Sequence, residues 1–220
     1  MPNVDPKVTS LMQAASNGYL PEVQRLLLSM EMDVTQADDS QKRTALHYAL
    51  MLPIMFDKAV RESKLAIARL LIDRSPEMLA YQDRAGDTAM HLMAAYGWDD
   101  LLEMILKSNP DCAIHLFLAN NQGELPIHAA IANQREAIVE QLLECDLMDR
   151  IIDSRGNTLL HHAAMANNSD AINCIMKRDA VDVHAKNSDS QTALDIAKMN
   201  YFADLFPLLD GHQSSSPIMR

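Results

Sequence analysis

At 220 residues and 48% hydrophobic content, the chain has enough material to bury a sizeable core as one domain or one repeat array. Aromatics make up only 5%, while Ala, Leu and Met are abundant, which favours helices. The 19 Lys and Arg against 30 Asp and Glu leave a net charge of −11, which argues against nucleic acid or an anionic membrane surface as a partner.

No apolar run approaches the roughly 20 residues that a membrane-spanning helix needs, and MPNVDPKVTS lacks the layout of a secretory signal. Cys112, Cys145 and Cys174 are odd in number and far apart, with no CxxC or Cys/His ligand spacing. Neither a disulfide framework nor a zinc site is expected, and a reduced, cytoplasmic setting fits best.

Taken in order, the chain repeats one pattern. A short motif (Thr9-Ser-Leu-Met12) precedes an amphipathic stretch at Pro21–Met30. Thr44-Ala-Leu-His47 follows, then Met51–Lys64, then a second amphipathic stretch at Leu65–Asp73. The clearest copy is Asp83–Gly97, where a turn leads into Thr88-Ala-Met-His91. Thr88 there is a good N-cap, because its hydroxyl accepts an otherwise orphaned first-turn N–H, and Gly97 suits a left-handed helix end. Asp99–Lys107 is its amphipathic partner. Leu125-Pro-Ile-His128 with Glu136–Glu144, Thr158-Leu-Leu-His161 with Asp170–Lys177, and Thr192-Ala-Leu-Asp195 complete the series.

The motifs start 35, 44, 37, 33 and 34 residues apart. Five residues before each later motif stands Asp39, Asp83, Asn120, Asp153 or Asn187, short polar side chains that support tight turns. Two residues before it stands Lys42, Gly86, Gly123, Gly156 or Ser190. Glycine takes positive φ at no steric cost, so the turns at Lys42 and Ser190 are expected to differ.

A period near 33 residues with a T-P-L-H-like motif and an Ala-rich helix resembles the ankyrin repeat. The likeness covers residues 9 to about 210. It implies an all-α solenoid of about six helix-turn-helix repeats joined by turn or β-hairpin-like loops. The units are 9–43, 44–87, 88–124, 125–157, 158–191 and a truncated 192–211, preceded by an N-terminal extension (1–8) and followed by a disordered tail (212–220). The second unit carries an insertion around Met51–Lys64, whose Asp57–Lys64 part is suited to extra helical turns while Pro53 interrupts what precedes it. Ile54, Met55 and Phe56 have no place in the repeat core. They either fold back or form a contact surface.

No catalytic constellation is legible. All six glycines serve turns and helix ends, and no GxGxxG or GxxxxGK string occurs. The resemblance implies that His47, His91, His128 and His161 bond locally and link adjacent units, which makes them structural. His162 is the remaining histidine of interest, and a solvated side chain is expected for it. No cofactor and no metal are implied. The thiols of Cys145 and Cys174 read as small buried apolar groups without an activating base.

The resemblance further implies that turn tips and the exposed face of each first helix line a concave groove. Carried over, the tips are Gln41, Arg43, Arg84, Asp87, Gln122, Glu124, Arg155, Asn157, Asp189 and Gln191. The helix positions are Met51, Leu52, Ala95, Tyr96, Ala132, Asn133, Met165, Ala166, Met199 and Asn200. Phe56 of the insertion and His162 join them as contact candidates. Tyr96 and Trp98, the single tryptophan, are the expected anchors, since such residues dominate binding energy. Either the methionines suit an adaptable contact surface or they complete packing between first helices. The expected function is a non-enzymatic adaptor or inhibitor that binds a protein partner, as a monomer. A bacterial effector acting on a host protein, in the host cytoplasm if secreted, is the alternative, and an enzyme with an unfamiliar site is third.

Overall fold

Each regular repeat begins at a threonine because threonine can cap a helix whose first N–H groups have no partner. The computed structural model describes residues 5–28, 33–38, 40–51, 57–108, 110–144, 151–178 and 181–210. In chain order the helices are α1 (Pro6–Asn17), α2 (Leu20–Leu27), α3 (Ala45–Leu50), α4 (Lys58–Arg74), α5 (Ala89–Tyr96) and α6 (Asp99–Ser108). They continue as α7 (Pro126–Ala132), α8 (Glu136–Leu143), α9 (Leu159–Met165), α10 (Ser169–Met176), α11 (Ala193–Met199) and α12 (Phe206–Asp210). Short 3₁₀ turns follow α4 (Pro76–Ala80) and α6 (Pro110–Phe117), and another precedes α12 (Ala203–Leu205). Among the described residues the sole β feature is an isolated bridge between Ile152 and Thr158.

The chain divides into two units, residues 1–126 and 127–220. In the first, the first helices α1, α3 and α5 pack side by side, and each is backed by its own second helix, α2, α4 or α6. Leu11, Leu46, Leu50, Met90 and Met93 from the first helices meet Ile67, Leu71, Leu101 and Ile105 from the second, all buried. Burying one such side chain stabilises by about 1.5–3 kcal/mol, so this apolar seam is the main support of short helices that would not persist alone. In the second unit α9 packs on α10 and α11, α8 on α10, and α12 on α10 and α11.

The sequence-level boundaries hold for most second helices, with three corrections. α1 starts at Pro6 with Asp5 as its N-cap, so Pro6–Val8 belong to a helix and not to an extension, and Val8 is buried. The second helix of the second repeat starts at Lys58, seven residues before the expected Leu65, capped by the Asp57 carboxylate on Ala59 N–H at 3.3 Å. The insertion's Asp57–Lys64 part therefore does add helical turns. Leu52, Ile54, Met55 and Phe56 lie outside the described residues, as does the 212–220 tail. The third correction concerns the turns: Lys42 and Ser190 adopt φ of 54° and 60°, the same left-handed conformation as Gly86 at 83°. The turn geometry prevails over the side chain's preference at those two sites.

Candidate functional site

The turns and first helices are built by one hydrogen-bond pattern. In α5, Thr88 N–H donates to His91 Nδ1 at 3.2 Å, and the Thr88 hydroxyl lies 2.9 Å from the same nitrogen. A backbone N–H can only donate, so Nδ1 is the acceptor and the proton sits on Nε2. Nε2 then donates to Glu124 O, 33 residues on, at 3.0 Å. His47 repeats this with Thr44 and Asp87 O (3.2 Å), and His161 repeats it with Thr158 and Gln191 O (2.9 Å). Each histidine caps its own helix and reaches the next turn. Burial lowers the pKa of His47 and His91, which favours the neutral ring that this pattern requires.

The last repeat shows why Asp195 replaces histidine. Its carboxylate accepts Thr192 N–H at 2.9 Å and the Thr192 hydroxyl at 2.8 Å, which completes the cap. A carboxylate cannot also donate to a following carbonyl, so Asp195 keeps the cap and gives up the link.

The turn carboxylates are engaged in the same manner. Asp83 accepts the N–H groups of Ala85 (2.8 Å) and Asp87 (3.1 Å), and Asp153 accepts those of Arg155 and Asn157, both at 2.8 Å. In the first turn the role falls to Asp38 rather than the expected Asp39, which lies outside the described residues. Burial pushes the Asp38 carboxyl up, but donors from Gln41, Ser40, Arg43 and Tyr48 outweigh it and hold the pKa at about 2. That turn holds one more residue than the others, which simple counting from the motif could not detect.

The expected contact residues separate into three groups. Exposed are Arg84, Gln122, Asn133, Arg155 and Met165, with Met165 at 42% and Met199 at 63% exposure. The methionine question therefore resolves towards the surface at those two positions. Tyr96 and Met51 are half-buried. Asp87 is half-buried and accepts Asn120 Nδ2 at 3.0 Å. The third group departs from expectation. Arg43 pairs with the buried Asp83 carboxylate at 3.1 Å, so it ties two turns together. His162 is not solvated: its side chain is 14% exposed and Nε2 lies 3.1 Å from Asp153 Oδ2. Its ring meets His128 edge to face, 4.3 Å between centroids.

Trp98 is the main correction. It is 2% exposed and among the largest fully buried side chains, so it is no surface anchor. Its indole N–H donates to Leu50 O at 2.7 Å, and the Arg61 guanidinium sits 4.3 Å from the ring centroid. Arg61 also donates to Gly97 O. Lys64, 1% exposed, donates to Tyr48 O at 2.9 Å and Met51 O at 2.7 Å, and burial lowers its pKa to about 8. Sequence reasoning missed Lys64 because it stands at the end of the insertion, outside the amphipathic stretch at Leu65–Asp73, where no periodic signal marks a buried position.

One group of potential metal ligands comes together among the described residues, with Glu136, Glu140 and Cys174 ligand atoms within 4.8 Å of one another. It is a poor donor set. Burial, then the hydrogen bond to Glu140, push the Cys174 thiol up to about 11, and Glu140 already pairs with Lys177 at 3.5 Å. A soft ligand site would need the thiolate.

Within each unit, then, helix pairs stack through repeated caps and leave turn tips and first-helix ends exposed, which defines a helical repeat protein built for interaction. Family models described as ankyrin repeats (3 copies) and as ankyrin repeat match residues 56–151 and 155–185. The chain belongs to the ankyrin-repeat family, whose repeats form protein–protein interaction modules and are in general scaffolds rather than catalysts. Neurogenic locus notch homolog protein 1 of Danio rerio is 28% identical over 146 residues, which is 51% of this chain and 6% of that protein. The nuclear factor NF-kappa-B p105 subunit of Rattus norvegicus is 28% identical over 161 residues, 70% of this chain and 16% of that protein. The chain thus spans only a small part of these relatives' length. Two solved structures share the fold at a TM-score of 0.72, each covering 92% of this chain and 97% of its own. They are the ankyrin repeat protein EF0377, at 22% identity, and the Bd0816 predatory endopeptidase from Bdellovibrio bacteriovorus in complex with immunity protein Bd3460, at 23%.

Proposed function

We propose that the chain is a non-enzymatic adaptor or inhibitor that takes a protein partner on its exposed turn tips and first-helix ends, working as a cytoplasmic monomer. The observation that carries this reading is where the reactive-looking groups go. His47, His91, His161 and the turn carboxylates are engaged in caps and links, while Arg84, Gln122, Arg155 and Met165 remain exposed on the same turns and helices. Adaptable thioethers and guanidinium groups of this kind suit a protein surface. The inhibitor role stands beside the adaptor role as it did from the sequence, and the shared fold with a complex of an endopeptidase and an immunity protein is in keeping with it.

Affinity capture with quantitative mass spectrometry tests it. Wild type is compared with Arg84→Glu/Gln122→Lys in the first unit and Arg155→Glu/Met165→Asp in the second, with folding checked by circular dichroism. A partner that loses about tenfold or more of its recovery on at least one double variant supports the proposal. Partners retained equally by both folded variants would refute it.

A further inference from the structure

The second helices of the first unit carry a feature that the turn and first-helix reading does not use. A cavity of about 290 Å³ lies between the C-terminal halves of α4 and α6. Leu79, Met104, Ile105 and Cys112 wall it, with half-buried Met104 the most accessible of the four. Asp73, Pro76 and Ser108 form its lip. Of these, Leu79 and Cys112 come from the 3₁₀ turns after α4 and α6, so the hollow belongs to the two repeats whose lengths, 44 and 37 residues, exceed the period most.

Size and charge together limit what fits. At about 290 Å³ the hollow stands at the small end of the roughly 300–1,000 Å³ of ligand sites, room enough for a single side chain. Its surroundings are acidic. Asp73 stands on the lip and exposed Glu77 follows Pro76. Asp111, next in sequence to Cys112, acts on that thiol, whose pKa is raised first by burial and then by the Asp111 charge. Among nearby cations, Lys107 pairs with Glu103, and Arg74 is exposed; like Glu77 and Asp111 it lies outside the lining, in which Asp73 is the charged residue. Another cavity of the unit, about 300 Å³ between α2 and α4, has both Glu62 and Arg69 in its lining and therefore no sign preference.

We propose that the α4–α6 cavity receives one apolar side chain of Leu, Met or Phe size from a partner protein segment flanked by lysine or arginine. The apolar walls supply an anchor pocket, and the acidic lip selects the flanks. This is a second docking surface, on the opposite helices of the repeat from the turn tips.

The test titrates the full ¹⁵N-labelled chain with two synthetic peptides, acetyl-KKLFKK-amide and acetyl-EELFEE-amide. The basic peptide is expected to shift the amide signals of Leu79, Met104 and Cys112 and to bind about tenfold or more tighter than the acidic one. Ser108→Trp plugs the mouth from an exposed position, and Asp73→Lys with Glu77→Lys reverses the lip. Each is expected to weaken binding by about tenfold or more with an unchanged unfolding midpoint. Equal binding of both peptides, signal shifts elsewhere only, or full affinity in folded Ser108→Trp would overturn the proposal. The turn variants described above leave this binding unchanged, so the two surfaces fail or stand separately.

Discussion

α3 and α5 start alike and end differently. Both open with a threonine–histidine cap, and both bury their first turn. α5 then closes locally: Gly97, at φ 75°, turns the chain back so that its own N–H and that of Trp98 both donate to Met93 O at 3.0 Å. α3 cannot close that way, because Met51 leaves the helix extended (φ −73°, ψ 124°) towards the insertion. Its last carbonyls are met from outside, Leu50 O by the Trp98 indole and Tyr48 O and Met51 O by Lys64. An interrupted repeat gives up a backbone cap, and side chains from α4 and from the link between α5 and α6 replace it. Orphaned terminal carbonyls must find donors somewhere, and here they find a tryptophan and a lysine.

The largest test of that contrast is Trp98→Ala. It removes a fully buried indole and leaves Leu50 O without its donor, so the expected loss is about 3–5 kcal/mol in urea unfolding. Trp98→Phe keeps much of the packing and is expected to lose about 1–3 kcal/mol, the desolvation cost of the abandoned carbonyl. Tyr96→Ala, at a half-buried position two residues earlier, is expected to lose less than either. Were Trp98→Ala to cost no more than Tyr96→Ala, the indole would be a surface group after all.

Lys64 is the intermediate case, and its pH dependence has a definite sign. Burial lowers the folded-state pKa from 10.5 to about 8, so between those values the unfolded chain holds a proton that the folded chain lacks. Stability contributed by this group therefore rises with pH across that window. Lys64→Met abolishes that rise and, by leaving two carbonyls bare, is expected to cost about 2 kcal/mol at pH 7. Denaturant melts of both proteins at pH 7.5 and 10 give the comparison. An identical pH slope in the two would show that the ammonium is not held as described.

The repeat architecture was legible because its signals are local and redundant. A threonine three residues before a histidine, a glycine two before that threonine and an amphipathic stretch after it recur in several copies, and each copy supports the others. The Asp57–Lys64 part of the insertion was legible as extra helical turns, although the N-cap role of Asp57 was not. What escaped was long-range and unique. Trp98 follows the Gly97 helix end, where sequence places it at the groove's rim. Only the missing cap on α3, 48 residues away, explains why it turns inward. Lys64 drew no reading of its own as the last residue of the insertion, since burying a lone charge is normally too costly. Its two carbonyl acceptors lie 13 and 16 residues back, beyond a break that carries no periodic signal. The α4–α6 hollow was invisible for a related reason, since two of its walls, Leu79 and Cys112, come from 3₁₀ turns that no pattern in the chain announces.

The smallest test bears on the two helix ends directly. Gly97→Ala places a Cβ at φ 75° and is expected to cost about 1 kcal/mol, because the left-handed conformation is strained for alanine. Met51→Gly is the complementary change. If α3 ended locally in the manner of α5, glycine there would be favourable. With Met51 extended and its carbonyl held by Lys64, glycine only adds freedom to the unfolded chain, and a loss of about 0.5–1 kcal/mol is expected. Thermal melts that showed Met51→Gly stabilising the protein would mean that α3 keeps a latent backbone cap, and that Lys64 and Trp98 reinforce that end of the helix rather than complete it.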